Sequence, residues 1–338
     1  MAYENILNNL KETPPRELND HILVVDAMNM LIRSFSLLKA MNPTGHHIGG
    51  LVGFLKSLGY LTRIIQPTRV ILAFDGPGST IARKSVDSNY KANRNISRIT
   101  NWEGYDNKEE ERDSMMSQMT RLIDYLQALP VHMLDIPKIE ADDTIGWIVK
   151  EYGSTSNITI VSSDKDFLQL VTDKVNVYSP IKKKFYTPDL VKQEVGLIPE
   201  NYLILKALLG DNSDNLPGVK GIGAKTAYKL FPDLVDKPGV TLDDIFAVCE
   251  ANLDKGKKYT SILERTQRVQ TNHELMNIQD PVLMDHHKST ILEVMNSPIP
   301  PLNVTAFLTM LEQDYIEGGI TKNPESWLET FRYLTINN

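Results

Sequence analysis

The stretch "HILVVDAMN" at residues 21–29 runs through four consecutive apolar residues and then stops at an acid, Asp26. A short apolar run that is rich in β-branched residues and ends in a polar group is typical of a buried strand in a parallel sheet. The stretch "TRVILAFDG" at residues 68–76 has the same form and ends at Asp75. The two runs therefore predict two buried strands, each with a carboxylate at its end.

A third run of this kind, "NITIVSSDKD" at residues 157–166, is followed by Asp164 and Asp166. Helical patterns lie between the three runs, at about residues 50–65, 109–129 and 141–152. Strands that alternate with helices predict an α/β fold, with a mainly parallel central sheet and helices on both of its faces. In such sheets, ligands bind beyond the carboxyl ends of the strands.

The chain divides into two predicted parts. We expect an α/β domain over residues 1–187, which ends with a hairpin-like pair of strands in "KVNVYSPIKKKFY". Residues 188–338 are predicted to form a helical C-terminal domain, because helical patterns dominate from Pro188 onward. Within the first domain, residues 80–107 have little apolar periodicity and much charge, which predicts a mobile loop or a weak helix outside the core.

The composition is typical of a globular protein, with 41% hydrophobic and 23% charged residues. The single cysteine, Cys249, excludes an internal disulfide, and no apolar stretch of signal-peptide length opens the chain. We therefore expect a cytoplasmic protein without a membrane anchor. The net charge of −7 argues against a polyanionic partner, yet residues 81–100 hold five basic residues and one acid. A basic footprint for nucleic acid is thus present locally.

Nine acidic residues fall in short clusters that a metal ion can neutralise. Besides the strand-end acids, three open a predicted helix in "IEADDTIGWIV" at residues 139–149, and two lie in "GDNSDN" at residues 210–215. Taken alone, each cluster is explained as well by helix capping, by the helix dipole or by turn formation. The nine residues are Asp26, Asp75, Glu140, Asp142, Asp143, Asp164, Asp166, Asp211 and Asp214.

Together, the strand-end acids and the "EADD" helix start are predicted to converge on one edge of the sheet. Two like charges about 4 Å apart repel by about 4 kcal/mol at an effective dielectric of about 20, so a cation is needed to hold them together. Oxygen ligands favour Mg²⁺ or Mn²⁺, whereas zinc prefers His and Cys. A pair of Mg²⁺ ions cleaves phosphodiesters, since one activates water and the other stabilises the leaving oxygen. No phosphate loop of nucleoside-triphosphate hydrolases is found.

The stretch "LPGVKGIGAKTAYKL" at residues 216–230 predicts a phosphate-binding turn between two helices. Its glycines permit a tight turn, whose N–H groups bind an anion together with the start of the following helix. A site of this kind contacts phosphates and ignores bases. The alternative is a glycine-capped helical hairpin with solvated lysines. The residues predicted to contact nucleic acid here are Gly218, Lys220, Gly221, Gly223 and Lys225.

The stretch "NYKANR" at residues 89–94 predicts a second contact with nucleic acid. If the stretch is helical, Lys91 and Arg94 share one face and would bind the scissile phosphate, while Tyr90 would stack on a base. Arg83, in the same basic region, is a further candidate for this contact. The alternative is a charged loop that is simply solvated.

The order of these motifs resembles the 5′ nuclease superfamily. The set comprises "VVDAMN", "AFDG", "YKANR", "IEADD", "SSDKDFLQLV" and "GDNSDNLPGVKGIGAKTA", and the resemblance covers about residues 20–235. That superfamily includes flap endonucleases, the 5′ nuclease domain of bacterial DNA polymerase I and phage 5′ exonucleases. The spans "NWEGYD" and "YSPIKKKFY", with the helical C-terminal part, are most similar to tailed-phage ribonuclease H, which removes RNA primers.

The resemblance implies a PIN-like 5′ nuclease fold, with a mobile arch at about residues 80–107 and a helix-three-turn-helix motif for duplex DNA at about residues 199–231. It also implies two Mg²⁺ ions, for which Mn²⁺ substitutes. The tighter site would be formed by Asp26, Asp75, Glu140 and Asp142, with Asp143 beside it, and the second by Asp164, Asp166, Asp211 and Asp214. The implied catalytic residues are Lys91, Arg94, Asp26, Asp75, Asp142, Asp164 and Asp166.

We therefore expect a structure-specific 5′ nuclease with 5′-3′ exonuclease, flap endonuclease and ribonuclease H activity. Its substrates would be branched, flapped or nicked duplex DNA and RNA–DNA hybrid, and it would act as a monomer in the host cytoplasm during phage DNA replication. The resemblance also implies contacts with a single-strand-binding protein and a sliding clamp. Two other classes stay open, namely a PIN-like ribonuclease for single-stranded RNA and a structure-specific DNA-binding protein without catalysis.

Overall fold

The structure, a computed structural model, describes residues 17–95, 104–316 and 319–336. At its centre lies a sheet of six strands. The strands are β1 (His21–Asp26), β2 (Arg69–Phe74), β3 (His132–Asp135), β4 (Asn157–Val161), β5 (Val175–Ser179) and β6 (Lys184–Tyr186). Their order in the sheet is β3-β2-β1-β4-β5-β6. The first five are parallel and β6 is antiparallel to β5, so the predicted mainly parallel sheet is confirmed.

The central strand β1 defines the carboxyl edge of the sheet. In its register, Asp26 lies opposite Ala73 of β2, and Val25 lies opposite Val161 of β4. The chain therefore leaves β1, β2 and β4 at the same edge, and the acids that follow these strands are delivered to one place. The three predicted strands are confirmed, including the end of the first at Asp26.

Helices connect these strands, namely α1 (Ala27–Leu37), α2 (Gly49–Ile65), α3 (Ile81–Val86), α4 (Lys108–Gln127) and α5 (Ala141–Tyr152). The predicted bounds of α5 are confirmed. Helix α4 ends before the predicted Leu129, because Pro130 disfavours a helical conformation in the residue before it. Residues 80–107 contain α3, in which no residue is fully buried, and a 3₁₀ helix at Ala92–Asn95. Residues 96–103 lie outside the described part of the chain.

Alternate residues of each strand point to opposite faces of the sheet. On one face, Ile22 and Val24 of β1 pack with α5 and with helices from the second half of the chain. On the other face, Leu23 and Val25 pack with α1, α2 and α4. Helices thus cover both faces of the sheet, and the predicted α/β class is confirmed.

After β6 the chain is helical, as predicted. The helices are α6 (Pro188–Val195), α7 (Tyr202–Leu209), α8 (Ala224–Leu230), α9 (Asp233–Asp236), α10 (Leu242–Glu250), α11 (Lys257–Leu263), α12 (Thr266–Met276), α13 (Asp285–Asn296), α14 (Val304–Gln313) and α15 (Pro324–Ile336). A hairpin of two short strands, β7 (Gly210–Asp211) and β8 (Leu216–Pro217), follows α7. In none of the described ranges does a helix combine the length and the apolar character needed to cross a membrane.

The last two helices return to the α/β part of the chain. Phe307 of α14 and Phe331 of α15 are fully buried in the cluster that covers the α2 face of the sheet. A Cβ atom added to Gly59 of α2 would lie 2.3 Å from the indole nitrogen of Trp327, so this glycine allows α15 to approach closely. The predicted domain division between residues 187 and 188 stays a prediction, but these helices contact the first part directly.

A buried arginine joins the sheet to the end of α13. Arg69 of β2 is fully buried. It donates hydrogen bonds to the carbonyl oxygens of Val294 at 3.0 Å and Ser297 at 2.7 Å, and to Asn19 Oδ1 at 2.7 Å. Its Nη1 also lies 2.5 Å from Nε2 of His132. Burial and the Arg69 charge lower the pKa of His132 to about 4, so the imidazole stays neutral and accepts this hydrogen bond.

Candidate active site at the carboxyl edge of the sheet

The acids at the ends of β1 and β2 are held by hydrogen bonds from the surrounding elements. Asp26 caps α1, since its Oδ1 accepts the Asn29 N–H at 3.1 Å, and its Oδ2 accepts the Ser162 hydroxyl at 2.9 Å. Asp75 accepts the N–H of Ala141, the first residue of α5, at 2.8 Å. These contacts tie together the ends of β1, β2 and β4 and the start of α5.

Asp164 and Asp166 follow β4 and open a 3₁₀ helix at Lys165–Leu170. Asp164 caps this helix by accepting the N–H of Asp166 at 2.9 Å. Phe167 and Leu168 are buried and anchor the 3₁₀ helix in the core. The apolar residues of this motif therefore hold its two carboxylates at the edge of the sheet.

The acids lie close enough to influence one another's protonation. Burial raises the pKa of Asp26 to about 7, and the charges of Asp75 and Asp164 add to this effect. Burial also raises the pKa of Asp164, and the charges of Asp142 and Asp214 act in the same direction. The structure thus brings together acids from three strand ends, from the start of α5 and from the β7–β8 hairpin.

Arg83 and Lys91 neutralise the acids at the start of α5. Arg83 pairs with Glu140, and its guanidinium lies 3.1 Å from Asp142 and 2.7 Å from Asp143. The ammonium of Lys91 lies 2.8 Å from Glu140, whose side chain is only 2% exposed. The other carboxylate oxygen of Glu140, Oε1, is buried and has no hydrogen-bond partner among the described residues.

These cations separate the pKa values of neighbouring acids. Burial raises the pKa of Asp143 to about 7, and the charge of Asp142 adds to this. Burial acts in the same direction on Asp142, but the charges of Arg83 and Lys91 outweigh it and lower the pKa of Asp142. Burial also opposes the charge on Arg83, yet the nearby acids raise the pKa of its guanidinium. One arginine is therefore shared by several carboxylates.

Lys206 of α7 is a further cation at this edge, and the motif-based prediction did not include it. Its ammonium lies 2.7 Å from Asp166 Oδ1 and also pairs with Asp211 Oδ2. Burial and the charge of Asp164 nevertheless raise the pKa of Asp166 to about 7. Against burial, the hydrogen bond from Lys206 lowers the pKa of Asp211 to about 2. A lone charge within the apolar helix "YLILKALL" is the signal that could have identified this lysine.

The β7–β8 hairpin carries the last two candidate ligands. Asp211 Oδ1 accepts the Ser213 N–H at 2.6 Å and the Asp214 N–H at 3.2 Å, which closes a turn of the Asx type. The side chain of Asp214 is buried. Its carbonyl oxygen accepts the Lys91 N–H at 2.9 Å. The hairpin is therefore joined to the segment that carries Lys91.

Residues 87–93, here called the arch base, are docked on the helical part of the chain. Asp87 pairs with Arg268 of α12 at 2.5 Å. The side chain of Asn215 in the β7–β8 hairpin donates to the carbonyl oxygen of Asn89 at 2.9 Å. Arg268 is a second residue that the sequence motifs did not identify, because it lies in a helix outside all of them. The arch base thus depends on α12 and on the hairpin for its position.

Tyr90 of the arch base lies inside the protein. Its side chain is 1% exposed and clusters with Leu203 and Leu216, and its hydroxyl donates to Glu140 at 3.1 Å. Tyr90 was predicted to stack on a base, but in this arrangement the ring packs against leucines and is closed to a base. The side chain of Arg94, the other predicted partner of the phosphate, lies outside the described residues.

The Gly-Lys turn before α8 is open to solvent. Lys220 and Lys225 are exposed. Gly221 has a left-handed φ of 82°, and a Cβ atom added at Gly221 or Gly223 would meet nothing within 4 Å. Gly218 has a different role, since an added Cβ would lie 2.0 Å from a backbone oxygen of α7. The turn therefore packs at one end and presents open backbone and positive charge at the other.

The donor set at this edge suits a divalent cation of the magnesium type. Every candidate ligand is a carboxylate, and Glu140 retains a buried oxygen without a partner among the described residues. In the part of the chain that the structure describes, no group of three or more His, Cys, Asp or Glu side chains is already spaced to hold a metal ion. Arg83 and Lys206 lie among the acids instead. The ligands fit such a cation chemically, and in the present arrangement several of them pair with Arg83 or Lys206.

Family sequence profiles match most of the chain. Residues 21–196 match the 5'-3' exonuclease, N-terminal resolvase-like domain, and residues 197–296 match the 5'-3' exonuclease, C-terminal SAM fold. The chain belongs to the 5′-3′ exonuclease family. Nuclease activity follows from this membership, and the predicted 5′ nuclease resemblance is confirmed.

Curated relatives of this exonuclease include both 5'-3' exonucleases and the much longer DNA polymerases I. A 5'-3' exonuclease of Bacillus subtilis (strain 168) is 36% identical over 221 residues, which cover 63% of this chain and 70% of the relative. The DNA polymerase I of the same organism is 30% identical over 279 residues, which cover 80% of this chain. This exonuclease spans only 28% of that polymerase.

Solved structures share the fold of this exonuclease. A flap endonuclease of bacteriophage T5, in a pseudo-enzyme-product complex with DNA and metal ions, matches with a TM-score of 0.62 at 20% identity, over 88% of this chain and 100% of that one. Human GEN1 in complex with Holliday junction DNA matches with a TM-score of 0.57 at 17% identity, over 98% of this chain and 76% of that one. At these identities the likeness establishes the fold. The narrower resemblance to tailed-phage ribonuclease H stays a prediction.

Proposed function

We propose that this exonuclease is a structure-specific 5′ nuclease that cleaves phosphodiesters near 5′ ends by a two-metal mechanism. The observation that carries the proposal is the meeting of acids from three strand ends, the start of α5 and the β7–β8 hairpin at one edge of the sheet. The proposed activities are 5′-3′ exonuclease, flap endonuclease and ribonuclease H cleavage. The solved complexes of the T5 flap endonuclease and of human GEN1 with DNA support a DNA substrate.

The nine acids would hold two Mg²⁺ ions, or Mn²⁺ in their place. When bound, the ions supply the Lewis-acid chemistry of phosphodiester hydrolysis. Within the chain, Asp75 orients the start of α5, and Ser162 orients Asp26. Lys91 and Arg94 would stabilise negative charge on the scissile phosphate. The proposed ligands are Asp26, Asp75, Glu140, Asp142 and Asp143 for the first ion and Asp164, Asp166, Asp211 and Asp214 for the second.

The Gly-Lys turn would hold the duplex through its phosphates. Its open backbone at Gly221 and Gly223 and its exposed lysines support this role. Arg83, Tyr90 and Lys91 all now bond to Glu140. Tyr90 and Lys91 would therefore contact nucleic acid only after the arch base moves, and Arg83 only after α3 moves. The free 5′ end would pass under or beside residues 80–107.

The proposed biological role is removal of RNA primers and adjacent DNA during phage DNA replication in the host cytoplasm. Relatives that include DNA polymerase I support a role in replication. The proposed substrates are branched, flapped or nicked duplex DNA and RNA–DNA hybrid. A monomer that contacts a single-strand-binding protein and a sliding clamp is the proposed assembly, and it rests on the resemblance to phage ribonuclease H.

Product mapping on matched substrates tests this function. We expect cleavage of end-labelled flapped, nicked and RNA–DNA duplexes next to the 5′ junction, with Mg²⁺ and not with EDTA, leaving 5′-phosphate and 3′-hydroxyl ends. Asp26→Asn should abolish cleavage, whereas Lys150→Ala on the surface should not. Binding of the flap without cleavage would identify a non-catalytic DNA-binding protein. Equal cleavage of single-stranded RNA without a duplex would identify a PIN-like ribonuclease.

A further inference from the structure

Lys206 pairs with both Asp166 and Asp211. The side chain of Lys206 is 14% exposed, and its ammonium lies 2.7 Å from Asp166 Oδ1 and also pairs with Asp211 Oδ2. The two carboxylates are only 17% and 15% exposed. Because an ammonium loses its hydration on burial, Lys206 keeps this position only where acids compensate its charge. The three groups therefore form a compact, nearly enclosed ion cluster.

Asp166 and Asp211 are also proposed ligands of the second divalent cation. The ammonium lies 2.7 Å from Asp166 Oδ1, so a divalent cation that binds to this oxygen would be repelled by the ammonium. We infer that Lys206 is an internal counter-ion, which holds Asp166 and Asp211 together without metal and is displaced when a divalent cation binds between them. The inference rests on the proposed metal sites and names a residue that controls their occupancy.

Arg83 has the corresponding position at the other acids. Its guanidinium pairs with Glu140 and lies 3.1 Å from Asp142 and 2.7 Å from Asp143. Each proposed metal site thus has a basic side chain, Arg83 or Lys206, in contact with two or more of its ligands. Lys206 is the simpler of the two to test, since it contacts two acids and Arg83 contacts three.

The position of Lys206 on α7 makes a clean substitution possible. The neighbouring residues Leu205, Ala207 and Leu208 are buried and hold the helix in the core. Lys206→Met keeps an unbranched side chain of similar length and removes only the ammonium. Lys206→Gln does the same with a polar end, and Lys206→Arg keeps the charge.

The test measures binding of Mn²⁺ alone to the full chain without nucleic acid, by electron paramagnetic resonance of the free ion. We expect Lys206→Met to bind Mn²⁺ at least about tenfold more tightly than the wild type at one site, because a unit charge a few ångströms from the ion is removed. Lys206→Arg should stay near the wild type. The matched control is Lys150→Met, since Lys150 pairs with Asp280 on the surface at 2.5 Å, and its Mn²⁺ affinity should be unchanged.

Thermal denaturation gives an independent measurement. Without metal, Lys206→Met should have a lower melting temperature than the wild type, because Asp166 and Asp211 then lack a cation. Added Mn²⁺ should raise the melting temperature of the variant by more than that of the wild type. If Lys206→Met binds Mn²⁺ no more tightly than the wild type, the inference is overturned and the proposed function stands. If neither protein binds Mn²⁺, the proposed metal sites are wrong and the inference is overturned with them. Lys206→Gln provides the same comparison should the methionine variant fold poorly.

Discussion

Asp166 has a charge state that its neighbours control. The Lys206 ammonium lies 2.7 Å away, while burial and the charges of Asp164 and Asp211 raise the pKa of Asp166 to about 7. A carboxylate in this position releases its proton when a divalent cation approaches. Asp166 lies at the sheet edge and not on the Gly-Lys turn. We therefore assign it a role in cleavage and not in the binding of duplex DNA.

Asp166→Asn keeps the shape of the side chain and removes its charge. We expect single-turnover cleavage to slow by on the order of 100-fold, because a proposed metal ligand is lost. Affinity for a flapped duplex should change much less, and fluorescence anisotropy without Mg²⁺ measures it. Asp173→Asn, at an exposed position, is the control. An equal loss of cleavage and of affinity would contradict the assignment.

His132 gives the stability a pH dependence whose sign follows from its lowered pKa. The folded chain protonates His132 only near pH 4, whereas the unfolded chain does so near the ordinary value of 6.5. Between these values the unfolded state binds more protons. The contribution of His132 is therefore fully present above about pH 6.5 and is lost as the pH falls towards 4.

Comparison with His132→Gln isolates this contribution, because the glutamine amide oxygen can still accept a hydrogen bond from Arg69. We expect the free energy of unfolding of the wild type, relative to that of the variant, to decrease as the pH is lowered between about 7 and 5. Urea denaturation at a series of pH values measures the difference. A difference that stays constant over this interval would show that His132 is not kept neutral by the fold.

At the scale of single elements, the turn before α8 presents positive charge and open backbone to solvent. Lys220 and Lys225 are exposed, and Gly221 and Gly223 leave room for a phosphate to approach. The arch base, in contrast, is docked through Asp87 and packs Tyr90 inside. We therefore propose that binding of duplex depends first on the turn.

Lys225→Ala removes one exposed positive charge from this turn. We expect weaker duplex binding to a similar degree for all sequences, and a plot of log affinity against log salt that is shallower by about one. Anisotropy titrations over a salt series provide both values. Lys150→Ala, which removes a lysine far from the turn in sequence, should leave the slope unchanged. An unaltered slope for Lys225→Ala would exclude a phosphate contact.

Single elements were predictable from the sequence where a local pattern decides them. The end of β1 at Asp26 and the bounds of α5 follow from an apolar run and a helical period, and four of the nine candidate acids follow from their places after strands. The pairing of Lys206 with Asp166 and the packing of Tyr90 could not be predicted in this way. These contacts join residues that are distant in sequence, and a local sequence pattern does not predict such contacts.

At the scale of the whole molecule, α14 and α15 complete the cover of one sheet face. The ring of Phe307 lies 5.2 Å from that of Tyr125 on α4 and 5.1 Å from that of Trp327. The ring of Phe331 lies 4.8 Å from Trp327. The helical pattern of this region predicts buried faces, but the pattern does not reveal that these faces meet α2 and α4.

Phe331→Ala tests this packing across the molecule. We expect a loss of about 3–5 kcal/mol in the free energy of unfolding, because a fully buried ring is replaced by a cavity. Urea denaturation followed by circular dichroism measures the loss. Arg332→Ala, at the exposed neighbouring position, should cost less than about 0.5 kcal/mol. If the two variants were equally stable, α15 would not support the sheet.

The return of α14 and α15 also has a consequence for synthesis of the protein. A nascent chain that has emerged from the ribosome only through residue 296 already contains β1 to β6, the nine acids and the Gly-Lys turn. Its face around Tyr125 and Gly59 still lacks the partners that α14 and α15 supply. The residues of the proposed nuclease site are thus all synthesised before this apolar face is covered, and in that interval the nascent chain is open to chaperones and to aggregation.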